Sequence, residues 1–404
     1  MDSPLRNGTV WHDVARREHT LNRVRGRNGQ ANPPPVQFEN PSQVSSTLHV
    51  RRLALVEYED GLRAQRLLVE ARAAGTIPDT LLLLEHPRVV TLGRGAQPSN
   101  VLWSRDQLGA RGFEIFETDR GGDVTYHGPG QLVGYPILDL KPDRKDVRKY
   151  VASVEEVMIR TAADFGIGSG RMAGRIGTWT KAGKLGAIGV HISRWITSHG
   201  FAFNVSTDLR DFGAIVPCGI SDAGVTSLAM LLGSAPPMAE VEERAIANAS
   251  AVWEAEAFEV PPELETVSIV VLRGREVLLA RRTPERGGFW QILTGRREPG
   301  EPAHAAAARE LYEETGFAPT LDEVRNLGYV HSFALDPAVV RREGPPRFAH
   351  ETAFAVRVPE SSEVRLDPGE HDAHEWVEID EALRRLPFAG LRRAVQLANS
   401  LRAP

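Results

Sequence analysis

The sequence predicts two domains of mixed α and β structure behind an irregular N-terminal tail. Three observations carry this. The chain has 404 residues, more than one hydrophobic core ordinarily organises. Strand-sized apolar runs and amphipathic helical stretches follow one another in mixed order, the α+β pattern. A Val260-Pro261-Pro262 break separates two such sets of elements and reads as a linker between two cores.

Residues 1–47 are expected to be a disordered tail, because Asn28 to Ser45 holds Pro33-Pro34-Pro35 and no apolar period. The first domain is placed over residues 48–258. It should open with a strand over 49–58 and a helix over 60–74, then strands over 80–85 and 89–92 broken at His86-Pro87. Strands over 113–117 and 131–140, a helix over 147–165 and strands over 175–180, 185–192 and 196–205 follow. A helix over 238–257 closes it. The second domain, residues 263–404, begins with strands over 266–272, 276–281 and 289–293 and a helix over 302–315. Strands over 327–333, 352–358 and 374–377 precede helices over 380–386 and 391–401.

Composition narrows the class. Hydrophobic residues make up 42% and charged residues 25%, which is globular usage. No apolar run approaches the ~20 residues of a membrane helix, and no apolar segment near Met1 reads as a secretory signal. A soluble, cytoplasmic protein with no membrane partner is expected. The single cysteine excludes an internal disulfide framework and a cysteine zinc cage. A net charge of -5 lacks the basic excess of a nucleic-acid binder. Residues 251–404 contain no lysine and have a balance of -7.

The second domain contains "GRREPGEPAHAAAARELYEETGF", beginning at Gly295. Glu310, Glu313 and Glu314 share one helical face by i+3 and i+4 spacing. Three carboxylates there repel one another unless a cation sits among them, and hard oxygen ligands suit Mg. The commoner fate of such a cluster is a solvated acidic face. The spacing of Gly295, Glu301, Arg309, Glu310, Glu313, Glu314 and Gly316 decides between these readings. A chance match is rarer than about one in a million per starting position at average residue frequencies. The segment resembles the signature of Nudix hydrolases, which implies an α/β/α sandwich and Mg- or Mn-dependent cleavage of nucleoside-diphosphate-type compounds. By that resemblance Glu310, Glu313 and Glu314 are metal ligands, Arg309 orients a carboxylate, and Gly295 and Gly316 shape the ends of the motif around Glu301. Phe289-Trp290-Gln291 is similar to a segment of the branch that cleaves a pterin triphosphate, so the implied substrate is a nucleotide or pterin phosphate. The aromatic pair is open to core packing as well as to stacking on a ring. Glu370 reads as a further metal ligand or base, or as a plain loop acid.

The first domain contains "RGGDVTYHGPGQ" from Arg120 to Gln131. Its glycines permit close backbone approach to a ligand, but a glycine-rich loop alone is usually a turn, and His127 alone is more often structural than catalytic. "KLGAIG" starts a strand with Lys184, and "IVPCGI" places Cys218 between Pro217 and Gly219. Lone cysteines are usually small buried hydrophobes. With "LLEHPRVVTLGR", "RIGTW" and "KLGAIGVHISRWITSHGFAFNV", these segments resemble the octanoyltransferases of lipoate biosynthesis, in that family's order, across roughly residues 48–255. The resemblance implies a biotin/lipoate ligase-like fold, Cys218 as nucleophile and Lys184 as its acid/base partner. It also implies a substrate pocket lined by Arg120, Gly121, Gly122, His127, Gly128, Gly189, His199 and Gly200. The implied partners are octanoyl-acyl carrier protein and the lipoyl domains of 2-oxoacid dehydrogenases and of the glycine cleavage H protein. No cofactor is needed, because exchange between thioesters is nearly isoenergetic and amide formation is downhill. Gly186, where the family more often has Ala, and the long tail depart from the pattern. An ATP-using lipoate ligase shares the loop and the lysine, and Cys218 favours the transferase over it. For the second domain, a nucleotide-sensing module without catalysis is the alternative.

Overall fold

The computed structural model describes residues 46–216, 224–335 and 344–400. The tail expected over residues 1–47 and the Cys218 nucleophile fall outside these, apart from Ser46 and Thr47.

The first set of elements runs β1 (Ser46–Leu55), α1 (Tyr58–Ala73), β2 (Asp79–Glu85), β3 (Val89–Leu92), α2 (Arg105–Ala110), β4 (Glu114–Glu117), β5 (Val124–His127) and β6 (Gln131–Ile137). It continues with α3 (Val147–Asp164), β7 (Gly170–Met172), β8 (Arg175–Thr180), β9 (Gly183–Ser193), β10 (Ile196–Asn204), α4 (Leu228–Leu232), α5 (Met238–Trp253) and β11 (Ala255–Glu259). The second set is β12 (Leu264–Arg273), β13 (Glu276–Arg282), β14 (Trp290–Gln291), β15 (Leu293–Arg296), α6 (Ala303–Thr315), β16 (Arg325–Leu335), β17 (Arg347–Arg357), β18 (His371–Glu378), α7 (Ile379–Arg385) and α8 (Ala389–Ser400).

Strands β2 and β6 are buried along nearly their whole length. Their near-continuous apolar runs reflect a sheet covered on both faces. Helices α3 and α5 pack on one face with Leu81, Leu83, Val154, Val157, Ala245 and Ala249, all buried. On the other face Ala64 and Leu68 of α1 meet Leu82, Leu84 and Tyr135. A second small sheet, β4-β3-β5, carries the loop of Arg120 to His127. In the second set, α6 packs through Ala306, Ala307 and Leu311 on Val267, Ile269 and Val271 of β12. The opposite face is closed by Leu391, Ala394 and Val395 of α8.

Two expectations are corrected. The helix placed over 238–257 stops at Trp253, because Glu254 takes a left-handed backbone (φ 54°). Residues Ala255–Glu259 then pair in parallel with Ser46–Val50. Part of the glycine-rich segment is itself a strand, β5, antiparallel to β3.

The two sets share one sheet, in the order β14-β13-β12-β17-β16-β1-β2-β6-β10-β9-β8-β7. β16 meets β1 at Leu55 and His331. Around that junction Arg51 makes a bidentate pair with Glu263, at 2.7 and 3.2 Å. The Tyr329 hydroxyl donates to Glu57 at 2.7 Å, and Arg392 pairs with Glu59 at 2.8 Å.

Candidate functional site

The transferase-like residues converge from four elements. Lys184, at the start of β9, is only 7% exposed, and its ammonium nitrogen lies 5.2 Å from the centre of the Trp179 ring. Gly177 makes that placement possible. Its φ is +119°, and a Cβ there would lie 2.8 Å from Lys184 Cε, so a side chain would be strained and would displace the lysine. The Lys184 N–H donates to the Gly224 carbonyl at 2.9 Å, and the Thr226 N–H donates to the Lys184 carbonyl at 3.0 Å. The chain therefore resumes after the Pro-Cys-Gly segment directly against the lysine. At Gly186, the departure from the family pattern, a Cβ would meet Met158 Sδ at 2.5 Å. A glycine there makes room for methionine in the core.

Arg120 is buried and donates to Thr91, with Nη2 2.7 Å from the carbonyl and 2.8 Å from the hydroxyl. A Cβ at Gly189 would lie 3.0 Å from Arg120 Cδ, so the glycine lets the guanidinium pass. His127 Nδ1 lies 2.7 Å from Gln131 Oε1. Gln131 donates through Nε2 to Asn204 at 2.9 Å, and Asn204 donates to the Thr226 carbonyl at 3.0 Å. Because the Gln131 amide nitrogen is thus a donor on its far side, its oxygen accepts from Nδ1–H. Nε2 of the neutral ring is then an acceptor. Burial holds the His127 imidazole down to about 3, so it is neutral at physiological pH. His199 has φ 54° and lies 2.8 Å from Asp119 Oδ1. Burial lowers its imidazole too, against the pull of Asp119.

Arg120, Gly122, His127, Gly189, His199 and Gly200 line one narrow cavity of about 40 Å³. Gly121 and Gly128 act behind it. Gly121 donates to the Val190 carbonyl at 2.9 Å, and a Cβ on Gly128 would overlap the Tyr126 hydroxyl. The sequence reading missed Tyr58 and Tyr135, which also line the cavity. It also missed His86, fully buried, with Nδ1 2.6 Å from the Val56 carbonyl and Nε2 2.7 Å from the Tyr135 hydroxyl. A histidine in an apolar strand-to-turn run was the available signal.

In the second set, α6 carries all three motif glutamates. Arg309 fastens the motif: Nε and Nη2 bind both oxygens of Glu301 at 2.9 Å, and Nη1 reaches Glu310 and Glu313 at 2.9 Å. That pairing pulls the Glu301 carboxyl down to about 2. A Cβ on Gly295 would overlap the Glu310 carboxyl, and Gly316 caps the helix at φ 76°. Glu314 is buried, and its Oε2 has no hydrogen-bond partner. Burial pushes its carboxyl up to about 8, with Glu370 and Glu310 adding to the effect against Arg282. Glu370 is held by Arg282 at 2.5 Å and Arg286 at 3.1 Å. Glu313 lies on the exposed side.

Among the described residues, no three His, Cys, Asp or Glu side chains form a preformed metal cage. The bare buried oxygen of Glu314, with Glu310 and Glu370 close by, is nevertheless the electrostatic setting a divalent cation relieves. The residues fit such an ion. Phe289 and Gln291 line a cavity beside Glu310. Trp290 instead packs under Arg385, 4.2 Å from its ring centre.

Fold and site together define a lipoyl-type acyl-transfer catalytic domain joined to a Nudix domain. Residues 57–250 match the lipoyl protein ligase A/B catalytic domain, and residues 262–397 match the NUDIX domain. An octanoyltransferase of Myxococcus xanthus is 53% identical over 367 residues, covering 88% of this chain and all of that protein. The chain belongs to the octanoyltransferase family, as an acyltransferase carrying a Nudix hydrolase domain. The octanoyltransferase of Acidobacterium capsulatum is 59% identical over 194 residues, 45% of this chain and 79% of that protein. Among solved structures, lipoate-protein ligase A bound with ATP aligns with a TM-score of 0.44 at 16% identity, over 54% of this chain and 89% of that one. The dihydroneopterin triphosphate pyrophosphohydrolase of E. coli aligns with a TM-score of 0.30 at 22% identity, over 33% of this chain and 94% of that one. No helix among the described residues is long and apolar enough to cross a membrane.

Proposed function

We propose that the chain transfers octanoyl from octanoyl-acyl carrier protein to a lysine of apo lipoyl domains through an acyl-enzyme on Cys218, in the cytoplasm and without ATP. The acceptors would be the lipoyl domains of 2-oxoacid dehydrogenases and of the glycine cleavage H protein. Lys184 takes the thiol proton as the Cys218 sulfur attacks the thioester carbonyl. The bond to the carrier's sulfur then breaks, and the proton passes to that leaving thiolate. In the second half-reaction the acceptor lysine amine attacks the Cys218 thioester. A C–N bond forms, the C–S bond breaks, and Cys218 regains a proton. The observation that carries this is the backbone pairing of Lys184 with Gly224–Thr226, which anchors one flank of the Pro-Cys-Gly segment against a buried lysine. The same strand supplies Ala187 to Gly189 to the narrow cavity, where Arg120, His127 and His199 would position the acyl thioester. Cys218→Ser should abolish transfer. Incubation of the wild type with octanoyl-carrier protein alone should leave one octanoyl adduct on Cys218 by mass spectrometry. A serine variant that works at near wild-type rate would refute covalent catalysis there.

The second domain is proposed to hydrolyse a nucleotide or pterin phosphate. Glu310, Glu313 and Glu314 would hold Mg or Mn, which supplies Lewis-acid stabilisation of charge at a diphosphate. Arg309 fixes the rotamers of Glu310 and Glu313. Arg282 and Arg286 pair with Glu370, which stands near Glu314 as a candidate base.

A further inference from the structure

The cavity beside Glu310 is not built by the Nudix domain alone. Its volume is about 420 Å³, and Asp60 and Arg63 of α1, in the transferase domain, form part of its wall. Gly295 and Glu310 of the motif line it. So do Phe289 and Phe388, edge to face at 5.2 Å, with the Arg63 guanidinium 5.5 Å from the centre of the Phe388 ring.

One polar atom in this wall lacks the partner its burial calls for. His331 is 2% exposed and stacks between Tyr329 and Phe333, with ring centres 4.8 and 5.5 Å away. Its Nε2 lies 3.1 Å from Glu351, while Nδ1 is buried without a hydrogen-bond partner. Asp60 is 2% exposed and pairs with Arg63 through Oδ1. A Cβ at Gly390 would overlap His331 Cε1, so only a glycine lets the ring lie there. Buried polar atoms left in this state are costly unless something bonds to them.

We infer that this cavity is a composite ligand site in which Asp60 and Arg63 of the transferase domain read the heterocycle of the substrate held by the Nudix motif. This deepens the hydrolase reading above and rests on it. The wall determines the class of heterocycle. A carboxylate only accepts hydrogen bonds, through two oxygens held in one plane. Acceptors on the protein select a ring edge with adjacent N–H donors. A 2-amino-4-oxo ring, as in guanine or a pterin, has that edge. Adenine sets one donor beside a ring-nitrogen lone pair, which a carboxylate repels. Phe289 and Phe388 supply the apolar surface for the ring, and Arg63 both orients Asp60 and adds a donor for a carbonyl.

The test uses the full chain as wild type, Asp60→Asn and Arg63→Gln, with GTP, dihydroneopterin triphosphate, ATP and CTP in Mg buffer. KM and kcat are measured for each. Binding of the same four compounds is measured by calorimetry in EDTA, and circular dichroism checks folding. The wild type should prefer GTP or the pterin over ATP and CTP. Both variants should raise KM for the preferred compound by about tenfold to a hundredfold with kcat nearly unchanged, the loss expected for a charged hydrogen bond. The GTP and pterin arms identify which source of the ring is used. Hydrolysis with unchanged KM and preference in both variants overturns the composite site and leaves the hydrolase reading intact. Wild-type protein that binds GTP or the pterin through Asp60 but hydrolyses none of the four overturns hydrolysis and keeps the site. Absence of both binding and hydrolysis overturns both. A readout free of mutation is amide exchange in the wild type: the preferred compound should protect the peptide spanning Tyr58 to Ala64, and no protection there refutes the inference.

Discussion

Replacing Glu57 by glutamine should stabilise the protein at alkaline pH, and the structure gives the size of the effect. Glu57 sits at the junction between the two domains, 3% exposed, and accepts a hydrogen bond from Tyr329 at 2.7 Å. Burial raises its carboxyl from 4.5 to about 7, helped by Glu114, while the Tyr329 hydroxyl, Arg393 and His331 oppose the rise. A carboxyl whose value is raised in the fold binds more protons folded than unfolded, so stability falls as pH rises. The loss begins near 4.5, grows up to about 7 and is complete above it. At full ionisation it amounts to about 3 kcal/mol. Glutamine keeps the shape and still accepts from Tyr329, but cannot ionise. Glu57→Gln should therefore match the wild type near pH 5 and exceed it by up to about 3 kcal/mol at pH 8.5, a rise in Tm of about 4 °C. Tyr329→Phe should move the other way, destabilising by about 1–3 kcal/mol at pH 8.5, because it strands a buried carboxylate. Thermal and urea unfolding at pH 5, 7 and 8.5 measure both. A glutamine variant with the wild-type pH slope, or one less stable at pH 8.5, would refute the account.

Three further outcomes are expected. Lys184→Arg should cut octanoyl transfer by at least about a hundredfold, because arginine keeps the charge but cannot give up its proton, while Lys181→Arg should leave it unchanged; near wild-type transfer by Lys184→Arg would show that charge alone matters. Glu314→Gln should sharply reduce nucleotide hydrolysis while leaving acyl transfer unchanged, and a variant of wild-type turnover would remove Glu314 from the metal site. Cleavage engineered at Pro261 should leave two fragments, residues 46–258 and 263–404, each with its own activity. They should remain associated on gel filtration through the Arg51–Glu263, Glu57–Tyr329 and Glu59–Arg392 contacts; aggregation of both fragments would sink the two-domain division.

The residues with chemistry were legible where short-range rules place them. The motif glutamates follow helical spacing, and Arg309 meets Glu301 and Glu310. Lys184 begins a strand whose apolar run is plain in the sequence. What escaped was set by tertiary pairing. Nothing in "AEAFE" distinguishes β11 from the end of a helix; its strand conformation comes from β1, and tertiary context overrides weak propensity. Tyr58 read as the end of a strand, whereas it opens α1, and Asp60 and Arg63 read as the first turn of an ordinary amphipathic helix. Their functional placement depends on which domain packs against that helix, and no periodicity encodes it. His331 likewise alternates correctly along a strand while its ring edge faces a cavity.

The way β1 is covered explains why the domains share a sheet rather than hang from a linker. Along one side β1 pairs with β2. The other side would present unpaired backbone groups, a template for aggregation unless covered. From Ser46 to Val50 that side is taken by β11, and at Leu55 by β16 of the Nudix domain. Between them Arg51 folds over Phe348, 4.6 Å from its ring centre, and pairs with Glu263. The second domain thus closes an edge that the first leaves open. The element it closes leads directly into α1, whose Tyr58 lines the narrow cavity of the first domain and whose Asp60, two residues on, lines the larger cavity beside Glu310. Because these two residues share one turn of a packed helix, a shift of that turn moves the walls of both cavities together. Changes at this junction should therefore be assayed for both activities.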